Sequence, residues 1–141
     1  KELLEAVRRR WEDDFPPEFM FHLHRLLREL GWRNPRRHWT APLVQGESPF
    51  QQLSHSERTL YAVAFRFAFL LAIPEEESIP LIMDDAFVFL TPEQKEKVFS
   101  VLSNIGKSFQ ILYFTWRQED LALSQKYFPS AKVFSRPLVQ G

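Results

Sequence analysis

The sequence predicts an α/β domain in which helices cover a parallel sheet. From Ser54 onward, segments with the apolar spacing of a helix alternate with short apolar runs. These runs are "IPLIMDD", "FQILYFTW" and "AKVFS", and each follows a helix-like segment. Strands that alternate with helices pair in parallel, because each crossover helix returns the chain to the same end of the sheet. The prediction is therefore a parallel-sheet domain preceded by N-terminal helices.

Residues 1–50 predict a helical segment followed by a connecting loop. "KELLEAVRRRWEDD" places its apolar side chains on one helical face, as either a solvated amphipathic helix or the end of a coiled coil does. After Pro16 and Pro17, a second helix follows through "EFMFHLHRLLREL", and Gly31 suits its C-terminal cap. The remainder predicts a loop with one short strand, "HWTAPLV".

Residues 51–141 predict the sheet domain. "LSHSERTLYAVAFRFAFLLAI" predicts a long buried helix that starts with a capping box of Ser54 and Glu57 and ends before Pro74. The next helix of this domain follows Thr91 and ends at Gly106. "RQEDLALSQKYF" predicts a third, shorter helix, so the three apolar runs become buried strands between them.

Composition excludes several classes of protein. The 18 basic and 18 acidic residues cancel, so net charge gives no argument for nucleic acid or membrane binding. There is no cysteine, hence no disulfide framework and no thiolate metal site. No apolar run is long enough to span a bilayer and no signal peptide is visible, so we expect a cytoplasmic protein without a membrane partner. The chain begins with Lys1 rather than Met, which suggests a piece of a longer protein.

Histidines do not predict a metal site. His22, His24 and His38 have no acid or cysteine at metal-ligand spacing, so we interpret them as surface or partly buried side chains.

Two adjacent acids follow the first predicted strand. Asp84 and Asp85 end the run "LIMDD", at the carboxyl edge of the sheet, where ligand sites of open parallel sheets gather. Neighbouring side chains on extended backbone point in opposite directions, so the two carboxylates can have separate tasks. One can hold Mg²⁺ and the other can orient and deprotonate an attacking water. The alternative is a solvated Asp-Asp turn.

A second polar feature lies at the start of the long helix. The segment "QLSHSE" offers the free backbone N–H groups of a helix N-terminus, which favour anions, together with a serine hydroxyl. The capping box alone would also explain these residues.

Three segments together resemble the C-terminal lobe of an ABC-class ATPase, most closely the SMC-like heads of coiled-coil DNA-repair ATPases. The resemblance covers residues 52–135. Leu53-Ser54-His55-Ser56-Glu57 is similar to the signature motif "LSGGE", "LIMDD" to Walker B, and Thr115-Trp116 to the "TH" of the switch histidine.

The resemblance implies a role for each matching residue. Asp84 would bind Mg²⁺ and Asp85 would be the catalytic acid. The residues implied to contact nucleotide are Ser54, Ser56, Glu57 and Trp116.

The sequence departs from the family pattern at several of these positions. Ser56 replaces a signature glycine, Asp85 replaces the usual glutamate, and Thr91 replaces the aspartate after Leu90. Trp116 replaces the histidine, and an indole cannot accept a proton. The chain also lacks the phosphate loop G-x-x-x-x-G-K-[ST], which in this family belongs to the N-terminal lobe.

The implied function is the C-terminal half of an ATPase head that works on DNA. It would complete a site for ATP and Mg²⁺ with a separate N-terminal lobe, and would pair with a second head. DNA and a nuclease subunit are further candidate partners, with repair or defence as the process. The alternatives are a non-hydrolysing head that only binds proteins, a nuclease-like metal site at Asp84 and Asp85, and a plain α/β interaction module.

Overall fold

The computed structural model describes residues 15–32, 53–74 and 79–136. Within these ranges the chain forms four helices and two strands in mixed order. The helices are α1 (Pro17–Glu29), α2 (His55–Ala72), α3 (Pro92–Ile105) and α4 (Gln118–Tyr127). The strands are β1 (Leu81–Asp84) and β2 (Ile111–Phe114). The first predicted helix, "KELLEAVRRRWEDD", which is alternatively the end of a coiled coil, lies outside the described residues. So does the predicted strand "HWTAPLV".

Each helix begins and ends close to where its local signals predict. Ser54 and Thr91 close capping boxes at the starts of α2 and α3, which satisfies backbone N–H groups that the helix cannot satisfy itself. Gly31 follows α1 with a φ of +97°, a conformation that a residue with a Cβ rarely adopts. Proline starts both α1 and α3.

The strands form a two-stranded parallel sheet, so the α/β character of the prediction is confirmed. Leu81 is in register with Ile111 and Asp84 with Phe114. The strand after α2, helix α3 and the strand after it therefore form one β-α-β crossover, whose two carboxyl ends meet at one edge.

One hydrophobic core joins the helices to the sheet. In the first half of the chain, Phe65 of α2 packs against Phe19 of α1 with ring centroids 5.0 Å apart. Near the sheet, Phe87 contacts both Phe99 of α3 and Tyr113 of β2, at 5.5 and 5.3 Å. Phe67, Phe87 and Phe99 are among the largest fully buried side chains.

The prediction that β1 and β2 are buried strands is wrong for one face of the sheet. Side chains on the buried face, such as Leu81 and Met83, enter the core. The other face leaves Ile82, Leu112 and Phe114 exposed by 60%, 40% and 57%. Parallel sheets normally have both faces covered, so this apolar face is unusual. We call Ile82, Leu112 and Phe114 the uncovered face.

The predicted last strand, "AKVFS", is also wrong. Residues 131–136 form no strand and are all exposed. With β2 they line a cavity of about 290 Å³, but no backbone hydrogen bond between described residues joins the two segments. Valine and phenylalanine favour strands only where a pleated partner covers them, and Phe134 is 90% exposed.

Candidate functional site

Asp84 and Asp85 lie at the carboxyl edge of the sheet, in different surroundings. Asp84 is the last residue of β1 and is exposed on the same side as Ile82. Asp85 leaves the strand with a φ of +46°, a left-handed conformation that aspartate tolerates better than most residues. Its N–H donates to the Phe114 carbonyl at 2.9 Å, which continues the ladder by one step. Asp85 is therefore not extended as predicted, and the two carboxylates are separated by this turn rather than by strand alternation.

The Asp85 carboxylate is held by two residues that follow β2. The Thr115 hydroxyl donates to Asp85 Oδ1 at 3.1 Å, and Arg117 Nε lies 3.6 Å from the same oxygen. The backbone N–H of Arg117 in turn donates to Thr115 Oγ1 at 3.1 Å. These three residues are partly buried, with 26% of the Asp85 side chain exposed. We call Asp85, Thr115 and Arg117 the carboxyl-edge cluster.

Sequence reasoning missed Thr115 and Arg117 as partners of Asp85. The parallel register supplies the missing signal, because pairing of Asp84 with Phe114 places the next residues, Asp85 and Thr115, side by side. Only the strand register identifies this pair, and register is not fixed by composition.

Trp116 projects into solvent between the two residues that contact Asp85. It is 74% exposed, and the Arg117 guanidinium lies over its ring at 4.7 Å. This cation–π contact orients Arg117. Arg117 Nε is buried and has no hydrogen-bond partner among the described residues. Trp116 is thus placed beside the cluster, and its indole makes no hydrogen bond to Asp84 or Asp85, which are both among the described residues.

The start of α2 lies beside the turn that follows Asp85. His55 stacks on Phe89 with ring centroids 5.4 Å apart and an interplanar angle of 29°. At the same helix end, the Ser54 hydroxyl accepts from the Glu57 N–H at 3.2 Å, and the Glu57 carboxylate accepts from the Ser54 N–H at 2.8 Å. The structure therefore brings the predicted helix-end residues next to the loop that carries Asp85.

The serine hydroxyls at this helix end have donor capacity beyond the cap. Ser54 Oγ and Ser56 Oγ are 3.2 Å apart, so one hydroxyl can donate to the other. A hydroxyl that accepts the Glu57 N–H still has a proton to donate. Ser54 can therefore cap α2 and donate to an anion at once, whereas the Glu57 carboxylate is committed to the cap.

The residues at the carboxyl edge fit Mg²⁺ only as a partial site. Among the described residues no three His, Asp or Glu side chains cluster as a metal site. Asp84 is an exposed carboxylate without a hydrogen bond or ion pair to any residue in the described ranges. Mg²⁺ is commonly held by one or two carboxylates, with phosphate oxygens and waters as its other ligands. Asp84 suits that arrangement, in which it would hold the cation and the ligand would supply the remaining oxygens.

One short segment matches the end of a phosphate loop but has the wrong setting. Gly106-Lys107-Ser108 follows helix α3 and leads into strand β2. A phosphate loop connects a strand to the helix that follows it, the reverse order. Val101, where the pattern needs its first glycine, is buried within α3. The segment therefore does not form a phosphate loop.

A buried charged network adjoins the cluster along β2 and α4. Asp120 is fully buried, and Lys95 of α3 is 3% exposed. Lys95 Nζ donates to Asp120 Oδ1 at 2.7 Å and also to Glu119, while the Tyr113 hydroxyl donates to Asp120 Oδ2. Burial alone would lower the pKa of Lys95, but the hydrogen bonds to Asp120 and Glu119 outweigh it and raise that pKa. Burial and the bond to Asp120 raise the pKa of Tyr113.

Comparison with known proteins gave no match to a family model, to a curated protein or to a solved structure. Among the described residues, no helix combines the length and apolar character needed to cross a membrane.

Proposed function

We propose that this chain is the C-terminal half of an SMC-like ATPase head. It completes a site for ATP and Mg²⁺ with a separate lobe that carries the phosphate loop, and couples ATP binding and hydrolysis to work on DNA. In this proposal Asp84 holds the cation, while Asp85 orients and deprotonates the attacking water. Ser54 and Ser56 donate to the terminal phosphate held by a second head.

The observation that best supports the proposal is the carboxyl-edge cluster. A half-buried carboxylate at the joint end of two parallel strands, oriented by a hydroxyl and a guanidinium, meets the geometric needs of a general base. Its neighbour Asp84 remains free to take a cation. The Asp85 carboxylate keeps a second oxygen, Oδ2, that no described residue bonds.

The uncovered face supports the need for a second lobe. Asp84 lies on the same face of the sheet as Ile82, Leu112 and Phe114, and it is in register with Phe114. A partner that covers these apolar side chains therefore also approaches the exposed Asp84 carboxylate. A lobe that packs there would bring its own phosphate-binding groups to Asp84. Residues 1–141 contain no phosphate loop, so a second lobe would also have to supply one.

A second candidate function is a non-hydrolysing head that binds proteins. It is favoured by Thr115 and Arg117, which both lie against Asp85 Oδ1 and so occupy one of the two oxygens that could accept a proton from water. The exposed Trp116 and the uncovered face offer the apolar surface that protein interfaces use.

The test is binding of a fluorescent ATP analogue with Mg²⁺, by this chain alone and by this chain with the phosphate-loop lobe. We expect binding only by the pair, with loss of affinity in Asp84→Ala. Glu93→Gln is the matched control, because Glu93 is an exposed carboxylate at the start of α3. Equal binding by parent and Asp84→Ala would contradict the assignment of Asp84.

Hydrolysis separates the two candidates. In the ATPase, Asp85→Asn keeps an oxygen for Thr115 but removes the base, so single-turnover hydrolysis should slow while nucleotide affinity remains. We expect slow hydrolysis even in the parent, since aspartate is shorter than glutamate and Trp116 cannot act as an imidazole. An assembled parent head that binds ATP without any hydrolysis would favour the binding-only head.

A further inference from the structure

The buried carboxylate of Asp120 connects the two ends of the loop that carries Thr115 and Arg117. Tyr113, the residue before Phe114, donates its hydroxyl to Asp120 at the first turn of α4. Lys95 of α3 donates to the other oxygen of Asp120 at 2.7 Å. Both oxygens of Asp120 are therefore engaged, and the loop of residues 115–117 between β2 and α4 is clamped at its two ends.

The contacts to Asp85 come from inside this clamped loop. Thr115 and Arg117 both lie between Tyr113 and Asp120, and they bond to each other through the Arg117 N–H. Glu119, in the first turn of α4, contacts Lys95 as well. A shift of either loop end would move the hydroxyl and the guanidinium away from Asp85. The network thus adjoins the cluster, because the Tyr113 hydroxyl lies near the Thr115 side chain and the loop brings Thr115 and Arg117 to Asp85.

Stability alone is a poor reason for this network. Removing two charges from water is costly, and apolar replacements of a buried ion pair are often neutral or stabilising. Tyr113 already packs its ring against Phe87 and Phe99 without needing its hydroxyl. What the hydroxyl, the amine and the carboxylate add is direction, because hydrogen bonds fix angles that apolar packing leaves free.

We propose that Lys95, Asp120 and Tyr113 are positioning residues for the carboxyl-edge cluster, holding Thr115 and Arg117 against Asp85. The catalytic consequence rests on the proposed function of Asp85, whereas the positioning itself is a property of the chain alone. Loss of the Tyr113 hydroxyl should therefore loosen the edge of the sheet locally, at the residues of the cluster, before it affects the rest of the fold.

The test is amide hydrogen exchange, read by NMR, in Tyr113→Phe. The reporters are the Asp85 N–H, bonded to the Phe114 carbonyl, and the Arg117 N–H, bonded to Thr115. We expect both to exchange about tenfold faster, since local opening loses one hydrogen bond to a charged group. The Leu81 N–H, bonded to the Gln110 carbonyl at the other end of β1, should change far less.

Tyr127→Phe is the matched control. Tyr127 also donates its hydroxyl from α4 to a carboxylate of α3, Glu96 at 2.7 Å, but at the opposite end of α4. Tyr127→Phe should leave the exchange rates of the Leu81, Asp85 and Arg117 amides nearly unchanged.

Asp120→Asn is a second test variant. It should raise the exchange rates of the Asp85 and Arg117 amides as Tyr113→Phe does.

Two outcomes of the exchange experiment would overturn the proposal. One is an equal rise at Leu81, Asp85 and Arg117, which would make the network a general stabiliser. The other is no rise at Asp85 and Arg117. In an active two-lobe head, Tyr113→Phe should also lower kcat with little change in KM, and an unchanged kcat would equally overturn it. Exchange needs no nucleotide, so a head without ATPase activity would reject the proposed function and leave the exchange result standing.

Discussion

Asp85 illustrates how a single residue acquires a different setting from its sequence neighbour. Its positive φ turns the backbone out of β1, and its carboxylate contacts Thr115 and Arg117, while Asp84 remains in solvent. The two adjacent acids were recognisable in the sequence as a candidate site. Their partners were not, because Thr115 and Arg117 come from the neighbouring strand and depend on parallel register.

Ser54 combines a structural contact with a proposed functional one. Its side chain caps α2, and loss of such a cap costs about 1 kcal/mol. We therefore expect Ser54→Ala to lower the free energy of unfolding by about that amount, measured by urea denaturation. Ser54→Asp should restore the cap, because a carboxylate also accepts the Glu57 N–H.

The functional contact of Ser54 is separable from the cap. In the assembled head, both Ser54→Ala and Ser54→Asp should weaken ATP-driven dimerisation, since neither supplies the hydroxyl donor. Sedimentation of the heads with and without ATP measures this. If Ser54→Asp dimerises as the parent does, capping is the whole role of Ser54.

At the scale of elements, helices were more predictable than strands because their signals are local. Ser54, Thr91, Pro92 and Gly31 each lie within two residues of the helix end that they mark, so α1, α2 and α3 could be predicted from local sequence. A strand depends on a distant partner. "AKVFS" has strand composition but no pairing segment, whereas β1 and β2 pair through a crossover that the sequence order implied.

The buried network ties α3, α4 and β2 together in a way that depends on pH. The pKa values of Lys95 and Tyr113 are both raised in the folded chain, so each residue contributes stability that is fully present below its unfolded pKa, near 10. As pH rises through the folded values, that stability is lost. We expect the free energy of unfolding to fall above about pH 10.

Tyr113→Phe tests this assignment. It removes one of the two groups of this network whose pKa is raised, so the fall in stability between about pH 10 and 11 should be shallower than in the parent. Urea unfolding at successive pH values measures the slope. An identical slope in parent and Tyr113→Phe would show that Tyr113 does not contribute to the alkaline loss.

The whole molecule has one face that its own described residues leave uncovered. Ile82, Leu112 and Phe114 form an apolar surface on a parallel sheet, beside a candidate site in a chain that carries no phosphate loop. The missing phosphate loop predicts a second lobe, and that remains a prediction. The sequence did not predict the uncovered face itself, because its apolar runs were interpreted as strands buried on both faces.

The central claim is that this chain provides half of an ATPase site, and hydrolysis of ATP tests it most directly. The measurement is Mg²⁺-dependent phosphate release by the purified chain, alone and mixed with the lobe that carries the phosphate loop. We predict no appreciable turnover by the chain alone, and turnover by the mixture that Asp85→Asn slows. Robust turnover by the isolated chain, abolished by Asp84→Ala, would contradict the claim.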